Sequence, residues 1–385
     1  MTETPSPATE FTDADMTLAE HQGRWAMFWE QFRSNRMAVA GMVIFILFFL
    51  TALAGLGLTS GANPVLNPST IRLQEKLLPP LSQAAVAKRL DDAPPLGGRY
   101  LLGTDDLGRD VFARMMQGAW VSLTVGFVAV GIAIAIGIFL GGIAGYYGQL
   151  AIGLHHLMGL FLPVAGIVMA GSLSAAGGTI LAIVGIAWLA AGLALSRRAP
   201  TLAPVLNVPL MTVDTLIMRV VDIMLCFPSF FLILTVVALL PASLYNIMIV
   251  IGLTSWMGTT RFVRAEFLSL REQDFVAAAK ALGVNELRIV FLHMMPNAIA
   301  PVLVSATLGI ASAILTEAGL SFLGFGVPPP HATWGNILSD GKRFIFDAPW
   351  LTFAPGTVIL LVVLAFNLFG EGLRDVLNPR LRERH

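Results

Sequence analysis

Residues 261–297 read RFVRAEFLSLREQDFVAAAKALGVNELRIVFLHMMPN, a charged and helix-prone island between two long apolar runs. Within this stretch, called the 261–297 segment below, the small side chains of Ala277, Ala278 and Ala281 fall on adjoining parts of one helical face. They leave a shallow patch that a groove on a partner could approach closely. The pattern indicates a docking surface and not a catalytic site.

The same segment carries the signals of a sharp turn between two helices. Gly283 is a flexible stop for the first helix, because glycine readily adopts the left-handed conformation that ends many helices. Asn285, followed by Glu286, is a cap for a second helix, which we expect to run as far as Pro296. The segment is therefore predicted to be a helix, a turn and a helix at the membrane surface.

The composition is that of a polytopic membrane protein. Of the 385 residues, 56% are hydrophobic and 12% are charged, and the mean hydropathy is +0.77. A soluble domain carries roughly 25% charged residues. Lys plus Arg and Asp plus Glu both number 24, so the formal net charge of +0 argues against a nucleic-acid partner.

Apolar runs long enough to cross about 30 Å of hydrocarbon predict an all-α protein with about eight spans. Basic residues before the first run and in the C-terminal tail place both termini in the cytoplasm. The predicted order is a cytoplasmic tail with an interfacial helix (1–36), a first span (37–58), an outer segment (59–118), a transmembrane domain (119–372) and a cytoplasmic tail (373–385).

The uncharged run at residues 150–196 is too long for one helix and is rich in glycine at 171–178, which predicts a hairpin of two spans at about 150–213. His155 and His156 lie in its first half. Adjacent residues face different directions on a helix and cannot chelate one ion as an i, i+4 pair would. An interfacial or packing role is therefore expected for both histidines.

The string GTDDLGRD at residues 103–110 suggests two alternatives. One is a metal or phosphate site. The other is a surface turn in which Asp105 or Asp106 caps the following helix. Further oxygen ligands at the spacing of a calcium loop do not follow, so we expect the turn and no metal site.

Three charged residues elsewhere are possible pathway or structural groups. Arg219 and Asp222 are three residues apart and can pair on one helical face at the cytoplasmic edge, and the default interpretation is a structural ion pair and not a transport role. Glu317 lies near the outer end of an apolar span. A carboxylate there is either functional or held by a neighbouring loop, and the sequence leaves both open.

Several motifs together resemble the permease subunits of bacterial ATP-binding-cassette importers, and among them the C-type subunit of dipeptide, oligopeptide and nickel transporters. The motifs are independent of one another and occur in the expected order, which makes the resemblance strong. They are spread over most of the chain. They are LLGTDDLGRDVFARMMQGAWVSL (101–123), GYYG (145–148), LIMRVVDIMLCFPS (216–229), DFVAAAKALG (274–283), HMMPN (293–297), LSFLGFGVPPP (320–330), WGNIL (334–338), APWLTFAPG (348–356) and AFNLFGEGLRDVLNPRLR (365–382).

The resemblance implies the transmembrane domain of a type I importer, with a six-span core and the two-span hairpin as an insertion. It also implies that the 261–297 segment is the coupling loop that docks in a cleft of a separate ATPase. The family's small pair falls on Ala278 and Ala279, and its closing proline on Pro296. The family's glutamate is replaced by Ala277. The residues assigned to this loop are Asp274, Ala277, Ala278, Ala279, Gly283, Asn285 and Pro296.

By this resemblance the chain is a permease for di- or oligopeptides in the bacterial inner membrane, and not an enzyme. Its expected partners are a second homologous permease, two ATPases, an extracytoplasmic binding protein and membrane lipid. No phosphate-binding G-x-x-x-x-G-K-[ST] string occurs in the sequence, so ATP hydrolysis is assigned to partner subunits, and no cofactor is expected. Nickel chelates or glutathione are alternative cargoes.

Two other function classes can be distinguished from this one. A secondary transporter driven by an ion gradient needs membrane-embedded carboxylates, for which Glu317 is almost the sole candidate. An intramembrane hydrolase would have to use His155, His156 or Asp222, and these residues form no recognisable nucleophile constellation.

Overall fold

The computed structural model describes residues 29–377, except for 31, 62–63, 85–94, 154–161, 164, 167–178, 181 and 189–208. This part of the chain is predominantly helical, with two short two-stranded antiparallel ladders. The helices are α1 (Arg36–Thr59), α2 (Val111–Tyr146), α3 (Val213–Cys226), α4 (Ser229–Leu239), α5 (Leu244–Leu253), α6 (Trp256–Arg271), α7 (Asp274–Ala281), α8 (Glu286–Arg288), α9 (Met295–Phe322), α10 (Trp334–Gly341) and α11 (Trp350–Leu377). The strands are β1 (Ser82–Gln83), β2 (Arg99–Tyr100), β3 (Ala151–Gly153) and β4 (Pro209–Thr212).

The chain forms two compact units. The first draws its described residues from Met1–Gly131, Ile233–Gly252 and Ala300–His385, and the second from Ile132–Leu232 and Leu253–Ile299.

In the first unit, α1 and α11 pack against each other as antiparallel helices. Asn35 caps α1 by accepting hydrogen bonds from the amides of Met37 and Ala38, and its Nδ2 donates to Asp375 Oδ2 at 3.2 Å. Further along, the Phe45 ring stacks on Phe369 with 5.7 Å between ring centroids. The start of α1 and the end of α11 therefore lie side by side.

The outer segment of the first unit is folded around buried polar groups. Tyr100 is fully buried; its hydroxyl donates to Glu75 and accepts a 2.9 Å hydrogen bond from Arg72 Nη1. Burial, followed by the hydrogen bond to Glu75, raises the pKa of Tyr100 to about 12. The Trp350 indole donates to the Thr104 carbonyl at 3.3 Å and so attaches this segment to the start of α11.

In the second unit, glycines on α2 permit a close approach of α6. A Cβ added at Gly137 would lie 2.6 Å from the Thr259 side chain, and one at Gly141 would lie 2.6 Å from the Thr260 carbonyl oxygen. One at Gly145 would lie 2.5 Å from Phe267 Cβ. Close helix packing at glycines, which is common in membrane helices, thus occurs between α2 and α6.

Four of the described helices are long and apolar enough to cross a membrane: Arg36–Thr59, Val111–Tyr146, Pro301–Phe322 and Trp350–Val376. A fifth span results if α3 and α4, which are bent by 81° at Phe227 and Pro228, count as one. The predicted total of eight stays a prediction, because much of the inserted hairpin at about 150–213 lies outside the described residues. His155 and His156 lie outside them as well.

The ends of the insertion are joined by a strand pair. Ala151 pairs with Thr212 and Ile152 with Met211, so β3 and β4 form a short antiparallel stem. Next to the stem, the amides of Val213 and Asp214 donate to the carbonyls of Leu150 and Gly148. The chain thus leaves the end of α2 and returns to the start of α3 at neighbouring backbone positions.

The region from residue 213 to 271 is more broken than its apolar pattern predicts. It is interrupted at Pro241, since α4 ends at Leu239 and α5 begins at Leu244. Two further breaks occur, at Phe227–Pro228 and between α5 and α6. Helices α4 and α5 have 11 and 10 residues, about 15 Å each at 1.5 Å per residue, half of a bilayer core.

Candidate functional site

Helix α7 of the 261–297 segment has one buried and one exposed face. Val276 and Ala279 are buried, three residues apart, whereas Ala277, Ala278 and Ala281 are exposed. The predicted face of small side chains is therefore present at these three positions. The Ala279 side chain is 8% exposed and packs within the protein, and its assignment to the coupling loop stays a prediction. Asp274, in the first turn, is exposed and favourably placed at the positive end of the helix dipole.

The predicted stop at Gly283 is confirmed and has a defined geometry. Gly283 has φ +70°, and its amide donates to the Lys280 carbonyl at 3.0 Å. The next amide, of Val284, donates to the Ala279 carbonyl at 3.1 Å. These two bonds form a Schellman motif, which satisfies carbonyls at the end of α7 and requires a left-handed residue at the glycine position.

Asn285 caps the next helix as predicted, by accepting a 2.9 Å hydrogen bond from the Leu287 amide. The predicted end of that helix at Pro296 is wrong. A π-helical stretch, Ile289–Met294, follows α8 and leads into α9, which continues through Pro296. In the π turn the Met295 amide donates to the Val290 carbonyl, five residues back. This wider turn accommodates a proline, which lacks the donor of an α-helical bond.

Large apolar side chains are exposed around the Gly283 corner. Leu282 is 82% exposed and Leu287 is 59% exposed, on the two sides of the turn. Phe275 at the start of α7 is also exposed, at 40%. Contiguous exposed apolar surface is typical of an interaction site. We call Phe275, Ala278, Leu282 and Leu287 the corner patch.

Two ion-pair sites connect α3 to α6 in the second unit. The predicted Arg219–Asp222 pair is present at 3.5 Å, and Asp222 also binds Arg261 at 2.5 Å. Asp214 forms a two-pronged pair with Arg264 that the sequence analysis missed, since 50 residues separate the partners. The hydrogen bonds that Arg264 donates to Asp214 raise the pKa of the Arg264 guanidinium. All of these charges have a partner within the chain, which favours the structural interpretation of Arg219 and Asp222.

Glu317 is fully buried in α9 and lies against the loop that joins α9 to α10. Its Oε1 accepts a 2.6 Å hydrogen bond from Ser321, and the hydroxyls of Ser122 and Thr333 lie beside the carboxylate. Thr333 is the N-cap of α10. This arrangement favours the second alternative of the sequence analysis, a glutamate held between its helix and a neighbouring loop.

The GTDDLGRD string forms a turn in which Asp105 is paired with arginines, and the predicted capping by Asp105 or Asp106 is wrong. Asp110 caps α2 instead, by accepting from the Phe112 amide at 2.9 Å. Burial raises the pKa of Asp110. Asp105 accepts from the amides of Leu107 and Arg109 within its own turn.

Two arginines bind Asp105 and Asp340 in an ion-pair network. Asp105 Oδ2 lies 2.5 Å from Arg114 Nη1 and 2.7 Å from Arg109 Nε, and Arg114 also binds Asp340 at 2.9 Å. The carboxylate oxygens of Asp105, Asp106 and Asp340 lie within 4.8 Å of one another, a spacing that could hold a metal ion. The two guanidinium groups already satisfy Asp105, however, so the cluster is accounted for as an ion-pair network.

A cavity of about 630 Å³ lies beside this network. Its walls come mainly from the outer segment, the start of α2, the loop between α9 and α10, and α10 itself. They include Asp106, Arg109, His331 and Asp340 together with prolines 328–330. Burial and the nearby carboxylates of Asp105 and Asp340 raise the pKa of Asp106. The sequence analysis did not predict this cavity, because its walls are more than 200 residues apart in the chain.

Comparison with known proteins identifies two family matches. Residues 201–383 match the family described as the binding-protein-dependent transport system inner membrane component. Residues 23–80 match the N-terminal transmembrane domain of oligopeptide transport permease C. The first match confirms the predicted helical polytopic fold.

Individual relatives align along nearly the whole chain. The dipeptide transport system permease protein of Alkalihalophilus pseudofirmus is 36% identical over 358 residues, which cover 93% of this chain and 90% of the relative. The oligopeptide transport system permease protein of Bacillus subtilis is 30% identical over 371 residues, covering 96% and 94%. The di/tripeptide permease protein of Pseudomonas aeruginosa is 33% identical over 355 residues, covering 92% of each.

Proposed function

Because the chain belongs to the family of C-type permease subunits of dipeptide and oligopeptide ABC importers, we propose that it forms half of a peptide translocation path and couples that path to separate ATPases. A second homologous permease completes the path, and an extracytoplasmic binding protein delivers the peptide. Two ATPase subunits dock on the cytoplasmic side of a bacterial inner membrane. The protein is thus a transport subunit, and ATP is hydrolysed by its partners.

The corner patch carries this proposal. Its helix, Schellman turn and capped helix hold Leu282 and Leu287 in exposed positions at a fixed corner. Burial of an exposed leucine contributes about 1.5–3 kcal/mol, enough for a few such residues to anchor a partner. The partner fits against small and apolar side chains, since Ala277 replaces the family's glutamate and leaves no charge at that point.

Contacts within the first unit support the proposed sidedness. The start of α1 and the end of α11 lie together, as the Asn35–Asp375 hydrogen bond indicates, which supports the proposal that both termini are on one side of the membrane. Arginines in both tails favour the cytoplasm for that side. By the family resemblance, the 261–297 segment is expected in the cytoplasm, where ATPases can reach it.

The test is reconstitution of the permease pair, the ATPases and the binding protein in proteoliposomes. We expect uptake of a radiolabelled dipeptide that requires ATP and stops when the ATPases are omitted. Competition with longer peptides, glutathione and a nickel chelate identifies the cargo. Uptake that persists without the ATPases and collapses with an ionophore would show an ion-gradient transporter and overturn the proposal.

A further inference from the structure

Two carboxylates of α3 pair with two arginines at the start of the 261–297 segment. Asp214 and Asp222 are eight residues apart on α3, slightly more than two helical turns, and so lie on one face of it. Arg261 and Arg264 are three residues apart on α6 and are neighbours on the surface of that helix. Each arginine binds one of the carboxylates. Helices α3 and α6 are therefore joined at two places.

The Asp214–Arg264 pair fixes an orientation as well as a distance. The guanidinium donates through Nε to Asp214 Oδ1 and through Nη2 to Asp214 Oδ2, the second bond at 2.5 Å. The Arg264 side chain is 30% exposed and that of Asp214 is 25% exposed. Two parallel N–H···O bonds constrain the planes of both groups, which a single contact between charges does not. This pair therefore defines how α3 lies on α6.

Asp214 is also attached to the end of α2. Its amide donates to the Gly148 carbonyl at 3.2 Å, and a Cβ added at Gly148 would lie 2.9 Å from Asp214 Cβ. The same three helices share a buried apolar cluster that includes Ala133 of α2, Val221 of α3 and Trp256 of α6. Asp214 thus lies where the end of α2, the start of α3 and the side of α6 meet.

The second attachment is more exposed. Arg261 Nη2 donates to Asp222 Oδ1 at 2.5 Å, but the two side chains are 50% and 43% exposed. Asp222 also pairs with Arg219, within α3 itself, at 3.5 Å. Exposed ion pairs are screened by solvent and contribute little. The Asp214–Arg264 pair is therefore the main polar connection between α3 and α6.

We propose that Asp214 and Arg264 are positioning residues that hold α3 in register on α6, so that a displacement of the 261–297 segment also moves α3. The inference rests on the proposed function, in which docked ATPases move this segment. Arg264 belongs to the segment, and α7 begins three residues after α6 ends. Apolar contacts are non-directional and permit sliding, whereas a two-pronged ion pair resists it.

The motion has a continuation towards the membrane. Beyond its last residue α3 bends by 81° into the apolar helix α4, and the two together are long enough to count as one broken span. A bound partner shifts only those elements whose interactions differ between the two states. The ion pair gives α3 such an interaction with the segment on which the ATPases act.

The experiment measures the number of peptides transported per ATP hydrolysed in proteoliposomes that contain the complete transporter. Asp214→Asn preserves the shape of the side chain but removes its charge and one of its two acceptor oxygens. It should lower the ratio by about fivefold or more, the lower end of typical coupling between two sites. ATP hydrolysis should continue, since Asp214 lies outside the corner patch.

Further variants separate orientation from charge. Arg264→Lys keeps the positive charge but cannot form two parallel bonds, so it should also lower the ratio. Asp214→Asn combined with Arg264→Gln should be no worse than the more severe single variant, because each one already breaks the same contact. Arg219→Met is the matched control on α3. It removes an ion pair that does not reach α6 and should keep the wild-type ratio.

The results that would overturn the inference are distinct from those that bear on the proposed function. A wild-type ratio in Asp214→Asn, with or without a lower unfolding temperature, would show that the pair is structural only. A ratio in Arg219→Met as low as in Asp214→Asn would also reject the inference. Arg264→Lys provides the test if Asp214→Asn fails to assemble, and a wild-type ratio there would reject it as well. A wild-type transporter without ATP-driven uptake would reject both the inference and the function on which it rests.

Discussion

The turn at residues 104–114 and the corner at residues 282–287 use their side chains in opposite ways. In the turn, Asp105 is paired with two arginines, and one of them, Arg114, has a side chain that is 4% exposed and also binds Asp340. At the corner, Leu282 is 82% exposed. The Arg114 network finds its partners within this polypeptide, whereas the corner has a hydrogen-bonded backbone but exposed apolar side chains. Substitutions in the turn should therefore affect folding stability, and substitutions at the corner should affect binding.

The largest effect is expected from Arg114→Met. The substitution leaves the buried Asp105 carboxylate without one of its two guanidinium partners, and breaking a buried pair in this way costs about 3–5 kcal/mol. The detergent-purified protein should show a markedly lower unfolding temperature by tryptophan fluorescence, or fail to accumulate in the membrane.

Arg219→Met is the matched control, because the Arg219 side chain is 70% exposed at a 3.5 Å ion pair. Exposed pairs contribute about 0–1 kcal/mol, so its unfolding temperature should stay close to wild type. Equal destabilisation by the two variants would contradict the contrast between the buried ion pair of the turn and the exposed pair of Arg219.

The corner should respond through binding. Leu282→Ala removes most of an exposed apolar side chain, and the loss of about 1.5–3 kcal/mol on docking corresponds to at least about tenfold weaker ATPase affinity. The unfolding temperature should not change. Affinity is measured by titrating labelled ATPase onto the permease pair in nanodiscs.

Phe346→Ala is the control for this substitution, since Phe346 is 97% exposed but lies outside the corner patch. It should leave ATPase affinity at the wild-type value. A loss of affinity from Phe346→Ala as large as that from Leu282→Ala would mean that general apolar surface, and not the corner, determines the binding.

An intermediate effect is expected at the backbone of the corner. Gly283→Ala places a Cβ in the left-handed region, at a cost of about 1–2 kcal/mol, although no atom obstructs it. Gly258→Ala, within α6, also meets open space but needs no left-handed backbone, and should stabilise by up to about 1 kcal/mol. The two substitutions should change the unfolding temperature in opposite directions, and only Gly283→Ala should weaken ATPase affinity. Equal effects on both measurements would show that the Schellman geometry does not matter.

Local signals explain which parts of these two regions the sequence predicts. Gly283 and Asn285 act on their immediate neighbours, so the corner could be predicted from residue type and spacing alone. The continuation of the helix through Pro296 could not, because it depends on a π turn at Ile289–Met294 that has no recognised sequence signal. The corresponding miss at the turn is the helix cap: Asp105 and Asp106 were the candidates, but Asp105 binds Arg109 and Arg114, and Asp110 caps the helix.

Ion pairs illustrate the same limit. The Arg219–Asp222 pair was found because helical spacing brings residues three apart together. The two-pronged Asp214–Arg264 pair joins residues 50 positions apart, and single-sequence periodicity carries no information about it. The cavity beside the turn was missed for the same reason, as the residues of its wall converge only in the fold.

The smallest effect should come from Asp106, a half-buried carboxylate of the turn for which no arginine lies within salt-bridge distance among the described residues. Burial and the neighbouring carboxylates raise its pKa, so the folded state holds the ionised form less well than the unfolded state does. Ionisation at neutral pH therefore costs stability, and Asp106→Asn should raise the unfolding temperature at pH 7 by about 1–3 °C. The gain should shrink as the pH falls towards the carboxyl range, where the wild-type Asp106 is protonated as well. A loss of stability at pH 7 would instead mean that the Asp106 charge contributes to the ion-pair network together with Asp105.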